Sequence, residues 1–287
     1  IRDPVVSRGL GDVYKRQSMA QPHEGGQPRR VMALREPWID HFFVGPLQMR
    51  CSVVTDPVSG DTIIIDGGDE PQRIIDWVDG FEGPGPNWTT GPDNAAVAEE
   101  RGLPNRRVVA LVNTHAHFDH SGFIPVLREH YGVEWYLHPD DDFLQTLAQA
   151  SGRRYGLSLP EPAEADCAFE AGKTYAFGTL ELSVLHTPGH TLGGCCLLVP
   201  VENGPDHVFV GDTLFAGSVG RTDIANSGGD FDLLARSIHT QLWPLDEDTV
   251  VHPGHGPLTT IGHEKRTNPF VGDPAGAGGS YGFGKYA

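Results

Sequence analysis

Residues 106–122 read RRVVALVNTHAHFDHSG, and this stretch decides the fold. Five consecutive apolar residues, Val108 to Val112, predict a strand buried on both faces. Directly after them come His115, His117, Asp119 and His120, four metal-type side chains within six positions, placed at the strand's carboxyl end. His115 and His117 are two apart and can face the same way from extended backbone, while Asp119 and His120 follow on the turn into a helix. One short loop can therefore offer two pairs of ligands.

Working outward, the chain alternates strand and helix around this loop. MRCSVVTDPVSGDTIIIDGG, residues 49–68, reads as two strands about a Pro-Val-Ser-Gly-Asp turn, which sets the start of the domain as a β-hairpin. Ile74, Ile75, Val78 and Phe81 then predict a short amphipathic helix. Residues 82–107 form a long Pro-rich loop, in which Trp88 is an apolar anchor for substrate contacts. Beyond the histidines, Phe123, Leu127 and Tyr131 define a helix face with Pro125 in its first turn. EWYLHP follows as a strand, and a second helix is opened by Asp140 to Asp142.

The second half returns to strands in KTYAFGTLELSVLHTPG, GGCCLLVP and DHVFVGDTLF, then a helix FDLLARSIHTQLWPL and a last strand DTVVHPGHG. Two such halves pack as sheets face to face with helices outside, a four-layer αββα sandwich, because each sheet needs both faces covered. Residues 34–271 are assigned to this domain. Residues 1–18 resemble translated adapter sequence and are set aside as a non-native leader, with Met19 as the expected start. Residues 19–33 and the Gly-rich tail 272–287 are expected to be flexible.

The net charge of −17 argues against a surface that tracks phosphate backbones or anionic lipid and favours a small-molecule substrate. No apolar run approaches the roughly 18 residues of a spanning helix. The four cysteines, Cys51, Cys167, Cys195 and Cys196, form no C-x-x-C pair, so a reduced, cytoplasmic setting is expected. In a strand, the adjacent Cys195 and Cys196 would point to opposite faces as packing residues. Asn87-Trp88-Thr89 matches a glycosylation acceptor by chance. Oligomeric state is expected to be monomeric or a small homo-oligomer.

Three further candidates lie at strand-to-loop junctions among glycines: His190 in HTPGHT, Asp212 in VGDTLF and His255 in HPGHG. Imidazole and carboxylate donors suit zinc, iron or manganese, and the two oxygens of a carboxylate such as Asp212 can bridge neighbouring ions. Two such ions would hold a hydroxide between them, lower its pKa and stabilise charge on an attacked carbonyl. The other histidines, His23, His41, His130, His138, His186, His207, His239, His252 and His263, are read as ordinary satisfied polar residues.

Together IIIDGG, THAHFDH, TPGHT, GDTLFAGSVGRTD and PGHGPLTTIGHEKRTNPF resemble the metallo-β-lactamase fold superfamily, in particular its glyoxalase II branch, the hydroxyacylglutathione hydrolases. The resemblance covers about residues 40–271. It implies His115, His117 and His190 around one metal, Asp119, His120 and His255 around a second, and Asp212 shared, with Asp119 and Asp212 taking part in catalysis. It also implies that Asp66 lies under the ligand loop and orients it. Arg221, in GRTD, is a candidate for a substrate carboxylate or for a structural salt bridge.

By the same resemblance the protein is a dinuclear hydrolase of thioesters such as S-lactoylglutathione, acting through a metal-bridging hydroxide, with two divalent ions, zinc first and iron or manganese as alternatives. The best-studied glyoxalase II enzymes carry a separate C-terminal helical domain that grips glutathione, whereas here only 32 residues follow His255, so the resemblance is expected to be to the short bacterial type. A persulfide dioxygenase, holding one iron through His115, His190 and Asp212, is the alternative within the fold. A lactonase or phosphodiesterase, a β-lactamase and a non-catalytic metal-binding scaffold are further alternatives.

Overall fold

The computed structural model describes residues 36–80 and 106–275. The chain divides into two units, Ile1–Met32 and Ala33–Ala287. The first lies outside the described residues, as do the rest of the 19–33 segment, residues 34–35, Phe81 of the expected first helix, Asn87, Trp88, the 82–107 loop up to residue 105 and the tail beyond Ala275. The fold is that of the second unit.

Six strands form the first sheet in sequence order: β1 (Trp38–Val44), β2 (Met49–Thr55), β3 (Asp61–Ile65), β4 (Arg107–Val112), β5 (Trp135–Leu137) and β6 (Cys167–Ala168). The first three run antiparallel, and β3 to β6 pair in parallel. The second sheet has the order β14-β13-β10-β9-β8-β7, from β7 (Thr174–Phe177), β8 (Leu180–His186), β9 (Cys195–Val199), β10 (His207–Gly211), β13 (Val250–Pro253) and β14 (Thr259–Thr260). A small ribbon, β11 (Leu214–Phe215) with β12 (Ser218–Val219), stands apart from both.

Three apolar layers show why this is a four-layer sandwich. Ile63, Ile65, Ala110 and Val112 of the first sheet meet Leu182, Val184, Leu197 and Phe209 of the second. On the outer face of the first sheet, Ile64, Leu111 and Trp135 pack with Ile74, Trp77 and Val78 of the helix Pro71–Gly80 and with Ile124 and Leu127 of the helix Ile124–Tyr131. On the outer face of the second, Val208, Val210 and Val251 pack with Leu234 of the helix Phe231–Ser237, Ile238 and Leu242 of its π-helical continuation, and Ile261. The run Ile63-Ile64-Ile65 is apolar throughout because its alternating side chains feed two different cores. Truncating Ile64, fully buried, to alanine would destabilise by about 2–5 kcal/mol.

Cys195 sits in the inter-sheet core and Cys196 in the outer one, the opposite-face arrangement expected of adjacent strand residues. Two expectations require correction. The domain does not start with the β2–β3 hairpin: β1 precedes it, in a segment, WIDHFFV, whose Asp40 and His41 break the apolar pattern yet are buried. Asp40 is satisfied by the guanidinium of Arg106 and the indole N–H groups of Trp38 and Trp77, and His41 by Ser52 and His252. Nor do Asp140 to Asp142 all open the second helix. A 3-10 turn, Pro139–Asp141, comes first, the α-helix is Asp142–Arg153, and the Asp141 side chain does not cap it. Among the described residues no helix is long and apolar enough to cross a membrane.

Candidate metal centre

All seven expected ligands gather at one end of the sandwich, where the carboxyl ends of β4, β10 and β13 and the loop after β8 meet. Nε2 of His115 lies 3.1 Å from Nδ1 of His117, which lies 2.9 Å from Nε2 of His190. A second set places Asp119 Oδ2 3.4 Å from Nε2 of His255 and 3.8 Å from Nε2 of His120. Asp212 stands between the sets: its Oδ1 is 3.4 Å from His120 Nε2, and its Oδ2 is 3.5 Å from His190 Nε2 and 3.6 Å from His255 Nε2.

The outward nitrogen of each histidine fixes which atom faces inward. His190 donates its Nδ1–H to the carbonyl of Arg221 at 2.6 Å, His255 to the carbonyl of Leu47 at 3.1 Å, and His120 to Asp66 Oδ2 at 3.0 Å. Thr114 Oγ1 donates to Asp66 at 2.7 Å and so accepts the Nδ1–H of His115 at 3.1 Å. Ser227 Oγ donates to the carbonyl of His190 at 3.1 Å and so accepts the Nε2–H of His117 at 2.8 Å. With these tautomers the inward nitrogens of His115, His117 and His190 face one another as bare lone pairs, an arrangement that a cation relieves. Among the described residues, His120 Nε2 and Asp212 Oδ1 are buried with no hydrogen-bond partner. The donor set thus fits divalent ions: His115, His117 and His190 would hold one and Asp119, His120 and His255 another, with the Asp212 carboxylate within reach of both sets.

The electrostatics agree with that fit at the three-imidazole set and at Asp212. At His120 and His255 burial is outweighed by Asp212 and Asp119, which raise both imidazoles above their ordinary value, so a cation there would take the place of a proton. Burial, reinforced by His120, His117 and His190, holds the His115 imidazole well below its ordinary range, and burial together with His190 takes His117 to about 3, so both keep free lone pairs. Burial works against the Asp212 carboxylate, but His255, His120 and His190 overcome it and hold the carboxyl well below its ordinary value. It is therefore anionic where a metal ligand must be.

Asp66 is the hub beneath the loop. It adopts a left-handed φ of 56°, a strained conformation for a residue with a side chain. Its Oδ1 accepts Asn113 Nδ2 at 3.0 Å and Thr114 N at 2.8 Å, and its Oδ2 accepts Thr114 Oγ1 and His120 Nδ1. Close approach below the centre needs glycine at 254, where a Cβ would stand 2.4 Å from Asp212 Oδ1. The Arg221 guanidinium is largely exposed and forks onto Asp223 at 2.8 and 3.2 Å, while its carbonyl orients His190. Sequence reasoning missed Asn113, Thr114, Ser227 and the carbonyls of Leu47 and Arg221. The first two lie inside the quoted motif, but the last three carry no readable signal.

Of the histidines set aside, His41, His130, His138, His186, His207, His239 and His252 all have hydrogen-bond partners. His138, Asp140 and His186 bring ligand-type atoms within 4.8 Å. However, the two rings stack at 4.2 Å and 8°, and parallel stacked imidazoles do not aim their in-plane lone pairs at one point.

The family profile described as the Metallo-beta-lactamase superfamily matches residues 44–255. The chain belongs to the metallo-β-lactamase superfamily. Hydroxyacylglutathione hydrolase GloC of Haemophilus influenzae is 35% identical over 230 residues, 79% of this chain and 95% of that protein. Among solved structures, the BLEG-1 B3 metallo-β-lactamase is similar with a TM-score of 0.65 and 32% identity, covering 82% of this chain and 99% of its own. TTHA1623 in a di-iron-bound form is similar with a TM-score of 0.60 and 36% identity, over 82% and 99%. The metallo-β-lactamase assignment agrees with the two facing sheets and with the ligand set at their shared end.

Proposed function

We propose that this chain hydrolyses thioesters of small acyl groups, with S-lactoylglutathione-like compounds as lead substrates, using two divalent ions, zinc first among them. The observation that carries the reading is the position of Asp212, whose two oxygens reach both ligand sets. The similarity to the Haemophilus influenzae hydroxyacylglutathione hydrolase supports the thioester. Bound ions would supply Lewis acidity toward the carbonyl and an activated water.

The chain's own part is positioning and charge. Asp119 and Asp212 present anionic oxygens, five histidines present fixed lone pairs, and Asp66 holds the loop that carries four of the seven. No cysteine of the core is suited to attack in place of water, since burial raises the Cys51 and Cys195 thiols well above their ordinary value and takes Cys196 to about 12. The net charge of −17 supports a soluble small-molecule substrate over a polyanion. We place the activity in the cytoplasm, in a monomer or small homo-oligomer. The guanidinium of Arg221 is assigned to its pair with Asp223, from which a substrate carboxylate would have to displace it.

The test combines elemental analysis with parallel assays of S-lactoylglutathione cleavage, a chromogenic cephalosporin, and oxygen uptake with glutathione persulfide. Thioester cleavage with two ions per chain, lost in Asp212→Ala, is the expected result. One iron per chain with oxygen uptake and no thioesterase activity would reject the reading.

A further inference from the structure

We propose that Asp141 is a positioning residue for the three-histidine set, its carboxylate locking together the two chain segments that bring His115 and His117 from one sheet and His190 from the other. The inference rests on the two-ion reading above. Asp141 is fully buried at the end of the turn between β5 and the helix Asp142–Arg153. Its Oδ2 accepts the N–H of Ala116 at 3.0 Å and the hydroxyl of Thr191 at 2.8 Å, and its Oδ1 accepts the N–H of Gly193 at 2.6 Å. Ala116 lies between His115 and His117, and Thr191 directly follows His190. One carboxylate thus spans the seam between the sheets where the set must be assembled.

Three features separate this from ordinary packing. First, the approach is built in from the other side: a Cβ on Gly193 would stand 2.7 Å from Asp141 N and 2.8 Å from Asp141 Cγ, so only glycine admits the contact. Second, one turn along the helix, Gln145 donates to Ser121 Oγ at 2.8 Å, and that hydroxyl donates to the carbonyls of Ala116 and His117 at 3.2 and 3.1 Å. The start of this helix therefore grips the ligand loop at two points. Third, among the described residues Asp141 makes no ion pair, and burial pushes its carboxyl up to about 6 despite the three donors. A buried carboxylate without a cation is unfavourable for stability by itself, whereas three directed, charge-assisted hydrogen bonds define the relative placement of two loops. The Asp141 contacts fall on Ala116, Thr191 and Gly193, beside His115, His117 and His190, and none reaches His255, Asp119 or His120, so the effect is expected to fall mainly on the three-histidine set.

Zinc is the probe. The wild-type chain, Asp141→Asn and Thr191→Val are titrated against a chromogenic chelator, with thermal unfolding of the metal-free proteins and the visible spectrum of the cobalt(II)-loaded forms recorded in parallel. Asp141→Asn is expected to bind one of two zinc ions 10- to 100-fold more weakly and the other unchanged, with an altered cobalt spectrum. Thr191→Val, which removes one neutral donor, is expected to shift the same ion in the same direction by less. It decides the matter if Asp141→Asn fails to fold. Equal weakening of both ions, or unchanged affinities with only a lower melting temperature, would overturn the inference while leaving the two-ion reading intact. A wild-type chain that binds fewer than two zinc ions would overturn that reading, and this inference with it.

Discussion

The imidazole of His120 donates its Nδ1–H to the Asp66 carboxylate at 3.0 Å while its Nε2 faces Asp212 Oδ1 at 3.4 Å. A ligand at the tip of the site is thereby braced by a residue at the end of β3. Replacing Asp66 by alanine strands four buried donors, so Asp66→Ala should lose on the order of 3 kcal/mol of stability and 10- to 100-fold in metal affinity. Urea midpoints and chelator competition check this; wild-type values in both would refute the brace.

Ser227 sets the tautomer of His117. Ser227→Ala removes the acceptor 2.8 Å from His117 Nε2 and should weaken the three-histidine set by about tenfold or more while leaving thermal stability within about 1 kcal/mol. Zinc titration beside a melting curve separates the two effects, and undiminished affinity counts against the tautomer argument.

Gly254 passes under Asp212 and His120. An alanine methyl there would come within 2.4 Å of Asp212 Oδ1 and 2.7 Å of His120 Cε1. Gly254→Ala should therefore displace the Asp212 carboxylate, lowering stability by about 1–3 kcal/mol and, on the two-ion reading, removing stoichiometric binding of two ions. A variant that retains two ions by elemental analysis would show that the loop yields more easily than the packing implies.

A chain of imidazoles links the sheets: His207 Nδ1 lies 2.9 Å from His252 Nε2, His252 Nδ1 lies 3.1 Å from His41 Nε2, and His41 Nδ1 reaches Ser52 Oγ at 3.0 Å. Burial, with Arg50 and His207 nearby, lowers His41 to about 3. Because the folded pKa is depressed, the unfolded chain binds the proton first as pH falls below about 6.5. Stability is then lost between that pH and about 3, at about 1.4 kcal/mol per pH unit for this group. His41→Phe should be less stable at neutral pH but show a shallower acid limb in urea midpoints measured from pH 7 to 4. An unchanged slope would assign the acid sensitivity elsewhere.

The sequence by itself determined the layers and picked out the side chains that are candidate metal ligands. Apolar runs such as Ile63–Ile65 and Val108–Val112 report burial on two faces, and side chains with metal-binding chemistry stand out where such runs end. It did not reveal β1, because Asp40 and His41 look polar until Arg106, Trp77 and His252 arrive to satisfy them. Nor did it reveal Asp141, which in one dimension is another acid near a helix start. Only the tertiary structure decided how the ligands are held. His255 is oriented by the Leu47 carbonyl 208 residues away, and His190 by the Arg221 carbonyl. A backbone carbonyl is chemically the same at every position, so its role depends wholly on where the fold places it.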